Sequence, residues 1–140
     1  MLELVIIATY LWVGFVCAIS FMEAWLKFRA PGVSLEIGLG IGQLVFSALN
    51  KVEWTLAAVI LINLLINTAV VSTYLNILLA VCLLILAAQT FVLLPKLKAM
   101  AALRIEGKVA KKSYIHFYYV IFELIKVVIL AGIGYQLFNL

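Results

Sequence analysis

Apolar residues run along this chain in four long stretches, separated by connectors too short to fold as soluble domains. The first stretch covers about residues 4–26 and stops at Lys27-Phe28-Arg29-Ala30-Pro31-Gly32. About 20 apolar residues cross the hydrocarbon of a bilayer, and a Pro-Gly pair ends a helix. The next stretch, 33–50, is weaker, with Gly38, Gly40 and Gly42 interleaved with Glu36, Gln43 and Asn50. It predicts an interfacial or re-entrant helix at the headgroups after the first span. Two further spans follow at about 54–71 and 74–94, and with only Ser72 and Thr73 between them they predict a tight antiparallel hairpin. Pro95 closes the third span and opens a basic connector, 95–112. The fourth span, about 113–138, begins with Tyr114, Phe117, Tyr118 and Tyr119, an aromatic belt at the membrane–water boundary. The expected fold is an all-α membrane protein, one membrane domain over 1–140, built as a four-transmembrane-helix bundle.

Composition agrees. Of 140 residues, 68% are hydrophobic and 11% charged, whereas a soluble domain is about 45–50% apolar and about 25% charged. The N-terminal Met-Leu-Glu carries no basic region, so the first stretch reads as a retained helix and not a cleaved signal. Cys17 and Cys82 both fall inside apolar runs and read as buried thiols. No phosphate loop, nucleophile elbow or zinc signature is present.

Net charge is +4, but the basic residues form no free-standing patch, and no nucleic-acid partner is expected. Lys27, Arg29 and Lys51 bracket one connector; Lys96, Lys98, Arg104, Lys108, Lys111 and Lys112 fill the other. Nine of ten basic residues thus sit in two alternate connectors, which predicts that both face the cytoplasm and both termini lie on the non-cytoplasmic side. The 95–112 connector is also suited to anionic lipid, at about 1 kcal/mol per basic residue near the surface.

The informative positions are ionisable groups inside the spans, since a charge at the bilayer centre costs about 2.5–3.5 kcal/mol on insertion scales. In the fourth span His116, Tyr119, Glu123 and Lys126 follow at steps of 3, 4 and 3 and share one helical face. Lys126 is one turn from Glu123 and placed to pair with it. Glu53 stands at the start of the second span, with Asn63 and Asn67 further along. In the first span Glu23 lies one turn from Lys27, and Ser20, Val16, Trp12 and Thr9 continue its stripe. The third span offers Asn76, Gln89 and Thr90.

Two readings of these groups stay open. In the first, Glu123, His116, Glu53 and Glu23 converge, with Lys126, Tyr119, Asn63 and Asn67 around them, into a pocket for a cation or small amphiphile. Such oxygen and imidazole groups suit a divalent metal or a proton relay. In the second, the charges neutralise one another: Glu123 with Lys126, Glu23 with Lys27 or Arg29, and Glu53 at a helix start where the dipole favours it. A structural or complex-forming role, including a homo-oligomer, fits the small residues Gly132, Gly134, Ala87 and Ala88. Acid–base catalysis by His116 and a carboxylate is the least supported role, and a single histidine cannot ligate a haem from both sides. No nucleotide cofactor is expected either.

The segments Leu11-Trp12-Val13-Gly14-Phe15 and Gly42-Gln43-Leu44-Val45-Phe46 resemble the opening of small four-span proteins typified by transmembrane protein 205 and its bacterial relatives. The Pro95-terminated third span, the charged helical connector and the His116/Glu123 pair, seven residues apart, are similar to that family's later segments. Where the family has asparagine, this chain has Glu123. The resemblance implies a four-helix membrane bundle, a bacterial inner-membrane location and, from the link of eukaryotic members to platinum-drug resistance, metal or small-molecule handling.

Overall fold

Ser34 and Ser72 each begin a long helix by the same device: their hydroxyls accept the backbone N–H three residues on, from Ile37 and Leu75, both at 3.3 Å. This satisfies one of the orphan donors at a helix start. In the computed structural model, which describes residues 2–67, 72–108 and 114–140, the chain forms four rods: α1 Leu2–Arg29, α2 Leu35–Ile66, α3 Thr73–Ile105 and α4 Ile115–Phe138. All four are long and apolar enough to cross a membrane. At 1.5 Å per residue even the shortest is about 36 Å long, more than the ~30 Å hydrocarbon layer.

Several boundaries differ from the sequence expectation. The 33–50 segment is not a separate interfacial helix; it runs unbroken into the second span as the first half of α2, 32 residues in all. Its glycines do not break it because two of them take neighbouring side chains. A Cβ on Gly38 would run into the Phe28 ring, and one on Gly42 would fall 3.0 Å from the Lys27 ammonium. α2 ends at Ile66, and Ser72 and Thr73 cap and start α3, so they are not a two-residue hairpin turn. The third helix also passes Pro95 and continues to Ile105. Just before the proline the helix widens into a π turn over Gln89–Leu93, in which the Leu94 N–H reaches the Gln89 carbonyl. The wider turn relieves the clash that proline makes in a regular helix. What stops α3 is Gly107 at φ 72°, with Lys108 N–H on Leu103 O and Gly107 N–H on Arg104 O, a Schellman closure. Lys111 and Lys112 of the basic connector, and residue 113, lie outside the described residues.

The helices run up–down–up–down. Pairs such as Trp12–Glu53, Asn50–Thr90 and Ser20–Glu123 fix the antiparallel order. Each inward face is a seam at steps of three and four: Leu75, Leu79, Cys82, Leu86, Gln89 and Leu93 on α3, and Tyr119, Glu123, Lys126, Leu130, Ile133 and Leu137 on α4. Such spacing gives the near-parallel crossing of left-handed bundles. Outward positions are large and apolar, as Leu44, Leu65, Leu84 and Phe91 illustrate, and they present the bundle to lipid. Both termini therefore sit at one end, and the basic residues of α1 and α3 cluster at the other, while Lys51 stands near the middle of α2.

Candidate functional site

Four helices bring polar side chains to one level, close to the midpoint of each rod. α4 supplies Glu123 and Lys126, α2 Glu53, α3 Gln89, and α1 Trp12 and Ser20. Glu53, Glu123, Lys126, Gln89 and Trp12 are each 0% exposed. The Lys126 ammonium is the hub: it meets Glu53 at 2.5 Å, Gln89 Oε1 at 2.6 Å and Glu123 at 3.0 Å. Gln89 turns its amide N–H on Glu123 at 2.6 Å, so one side chain bridges the cation and the carboxylate. Trp12 donates its indole N–H to Glu53 at 2.6 Å, and the Ser20 hydroxyl donates to Glu123 at 3.3 Å.

Local helix geometry makes two of these approaches. Ser20 lies in a π-helical segment of α1, Cys17–Glu23, and Gln89 opens the π turn of α3. A π turn inserts an extra residue and re-aims the side chains it carries, and such turns recur at functional sites.

Two buried polar atoms have no hydrogen-bond partner among the described residues, Glu53 Oε1 and Tyr119 OH. Native interiors hold few such groups, and each calls for an explanation. Tyr119 is one turn before Glu123 on the same face of α4, its ring edge-on to Phe46 at 5.6 Å.

Beyond Tyr119, toward the basic end, the bundle opens around a cavity of about 430 Å³. Lys27, Lys98, Arg104, His116 and Tyr119 belong to its wall, together with apolar residues such as Phe28, Leu39 and Leu97.

The candidates read from the sequence thus separate. Glu123 and Lys126 pair as expected, and Glu53 joins them, but from the interior of α2 and not from a helix start. Glu23 does not converge; it pairs with Lys27 at 3.3 Å. His116 is exposed and lines the cavity. Asn63 and Asn67 spend their amides on their own helix, on Val59 O at 2.8 Å and Asn63 O at 2.9 Å. Among the described residues no group of three or more His, Cys, Asp or Glu is placed to hold a metal ion, so the Glu123–His116–Glu53–Glu23 ligand set does not form. Lys126 occupies the place between the carboxylates that a cation would take. Gln89, Trp12 and Ser20 complete the site. No protein-family model, curated protein or solved structure matches the chain.

Proposed function

We propose that this multi-pass membrane protein binds and exchanges one proton at the Glu53–Lys126–Glu123 triad, in a small-ion binding or transport role. The observation that carries this reading is the charge count: two carboxylates face one ammonium, all fully buried. Removing an uncompensated charge from water costs several kcal/mol, so a second positive charge is required at the site. A proton is the smallest one, and Glu53 Oε1, without a hydrogen-bond partner among the described residues, is the atom that receives it. Lys126 already fills the gap between the carboxylates, which favours a proton over a metal. Intramembrane ionisable groups mark proton and ion pathways. The basic end then faces the cytoplasm by the positive-inside rule, with both termini outside. Kinship with the transmembrane protein 205-like family would place the chain in a bacterial inner membrane and suits small-molecule handling.

Infrared difference spectroscopy across a pH jump, on protein in lipid, tests this. A buried protonated-carboxyl band is expected in the wild type and lost in Glu53→Gln. A wild type with no such band, or a band untouched by both Glu53→Gln and Glu123→Gln, would end the reading. A structural reading has its own support, because the cluster ties together side chains of all four helices. In that case the same substitutions alter thermal stability while proteoliposomes of wild type and variants show equal proton leak.

A further inference from the structure

The cavity at the basic end is separate from the triad and built differently. Among the described residues three cationic side chains border it, Lys27 from α1 and Lys98 and Arg104 from α3, and no carboxylate is in its lining. Lys27 is the inner one, its side chain 10% exposed. It lies over α2 where Gly42 leaves it room, between the Phe28 and Phe46 rings at 5.5 and 5.7 Å, with Glu23 beside it at 3.3 Å. Lys98 and Arg104 are exposed at the rim. Between these charges the wall is apolar: Leu35 and Leu39 from α2, Leu97 and Met100 from α3. Tyr119 belongs to the inner wall, and its buried hydroxyl has no hydrogen-bond partner among the described residues.

Cations around an apolar hollow match a ligand with an anionic head and a hydrocarbon tail. Its volume falls in the roughly 300–1,000 Å³ range of small-molecule sites. Basic pockets between transmembrane helices on one side of a membrane bind anionic headgroups. At the same end of α1, exposed Trp25 lies under the Arg29 guanidinium at 4.8 Å. We propose that the cavity is a binding site for a phosphate-headed lipid, drawn from the leaflet at the basic end, with its head between Lys27, Lys98 and Arg104.

The test measures thermal unfolding and lipid retention of the full chain in nanodiscs of phosphatidylcholine, with and without phosphatidylglycerol. Phosphatidylglycerol is expected to stabilise and co-purify with the wild type. Each basic residue near the surface accounts for about a fivefold change in affinity. Lys27→Gln/Arg104→Gln should therefore weaken the preference roughly 25-fold, while Lys96→Gln/Lys108→Gln, which removes two exposed charges outside the lining, changes it far less. Leu97→Trp, which fills the hollow without changing charge, should weaken it as well. Equal losses in Lys96→Gln/Lys108→Gln and in Lys27→Gln/Arg104→Gln would show diffuse surface attraction and overturn the site, as would full lipid preference in Leu97→Trp. Stabilisation by inorganic phosphate alone would replace the lipid by a free anion. Glu53→Gln should keep the lipid preference, so this site stands or falls independently of the proton reading.

Discussion

The two ends of the bundle close in opposite ways. At the end holding both termini, Val5, Thr9, Ile60, Leu75, Leu79 and Leu137 fit so tightly that the hollow among them is about 10 Å³. At the basic end the same four helices part around about 430 Å³. The difference is written in side-chain chemistry. Branched and unbranched aliphatics at steps of three and four interdigitate, as interiors do at crystal-like density. At the other end the lining holds Gly38 and Gly42, which have no side chain to fill a seam, and Lys27, Lys98 and Arg104, whose like charges do not pack against one another. The triad stands between the two regions. It is sealed from the apolar end and separated from the cavity by Tyr119.

The largest predicted effect strikes the boundary itself. Lys126→Met leaves Glu53 and Glu123 buried without their common partner, and breaking a buried pair in this way costs about 3–5 kcal/mol. Thermal unfolding in detergent should show a severe loss or no folded protein. The triple variant Lys126→Met/Glu53→Gln/Glu123→Gln, which removes all three ionisable groups, should regain most of it. If Lys126→Met alone unfolds like the wild type, the triad does not join the two ends.

A second prediction compares the ends directly. Ile133→Ala, in the tight seam at 4% exposure, creates a cavity among fully packed neighbours and should cost about 2–5 kcal/mol. Leu97→Ala enlarges a hollow already present and should cost less than about 1 kcal/mol, because little packing is lost. Equal unfolding shifts for the two variants would mean that the basic end is as well packed as the other.

Much of this organisation is legible in the sequence, and the failures have physical causes. The stripe Thr9, Trp12, Val16 and Ser20, read from helical spacing, is the buried face of α1. The Glu123–Lys126 pair follows from one turn of spacing and the cost of midplane charge. Glu23 was expected on the stripe with Ser20, but the π segment Cys17–Glu23 changes the rotation per residue and carries it away. Glu53 read as a helix start because glycines and polar residues lower the hydropathy before it, although the helix continues through them. Gln89 and Trp12 gave a weaker signal than a charge does: an amide or indole in an apolar run is unremarkable until its partner on another helix is known. Periodicity assigns a residue to a face; it does not say which neighbour that face meets.

The smallest predicted effect concerns the glycines of α4 near the sealed end. Gly132 and Gly134 look alike in the sequence, both small residues that would let another helix approach. In the structure they differ. A Cβ on Gly134 would lie 2.9 Å from Tyr10 Cζ, whereas nothing lies within 4 Å of one on Gly132. Tyr10 is 45% exposed, so its ring can swing outward, and Gly134→Ala should cost under about 1 kcal/mol, well below a rigid overpacking penalty of about 1–3 kcal/mol. The double variant Tyr10→Ala/Gly134→Ala should show no further loss from the second change. Gly132→Ala should be neutral or gain about 0.5–1 kcal/mol from helix propensity if the bundle acts as a monomer. Gly132→Leu then discriminates further. A change in oligomeric state by light scattering, with the unfolding temperature of the monomer unchanged, would reveal that Gly132 meets a second copy. The sealed end would then be closed by self-association as well as by its own seam.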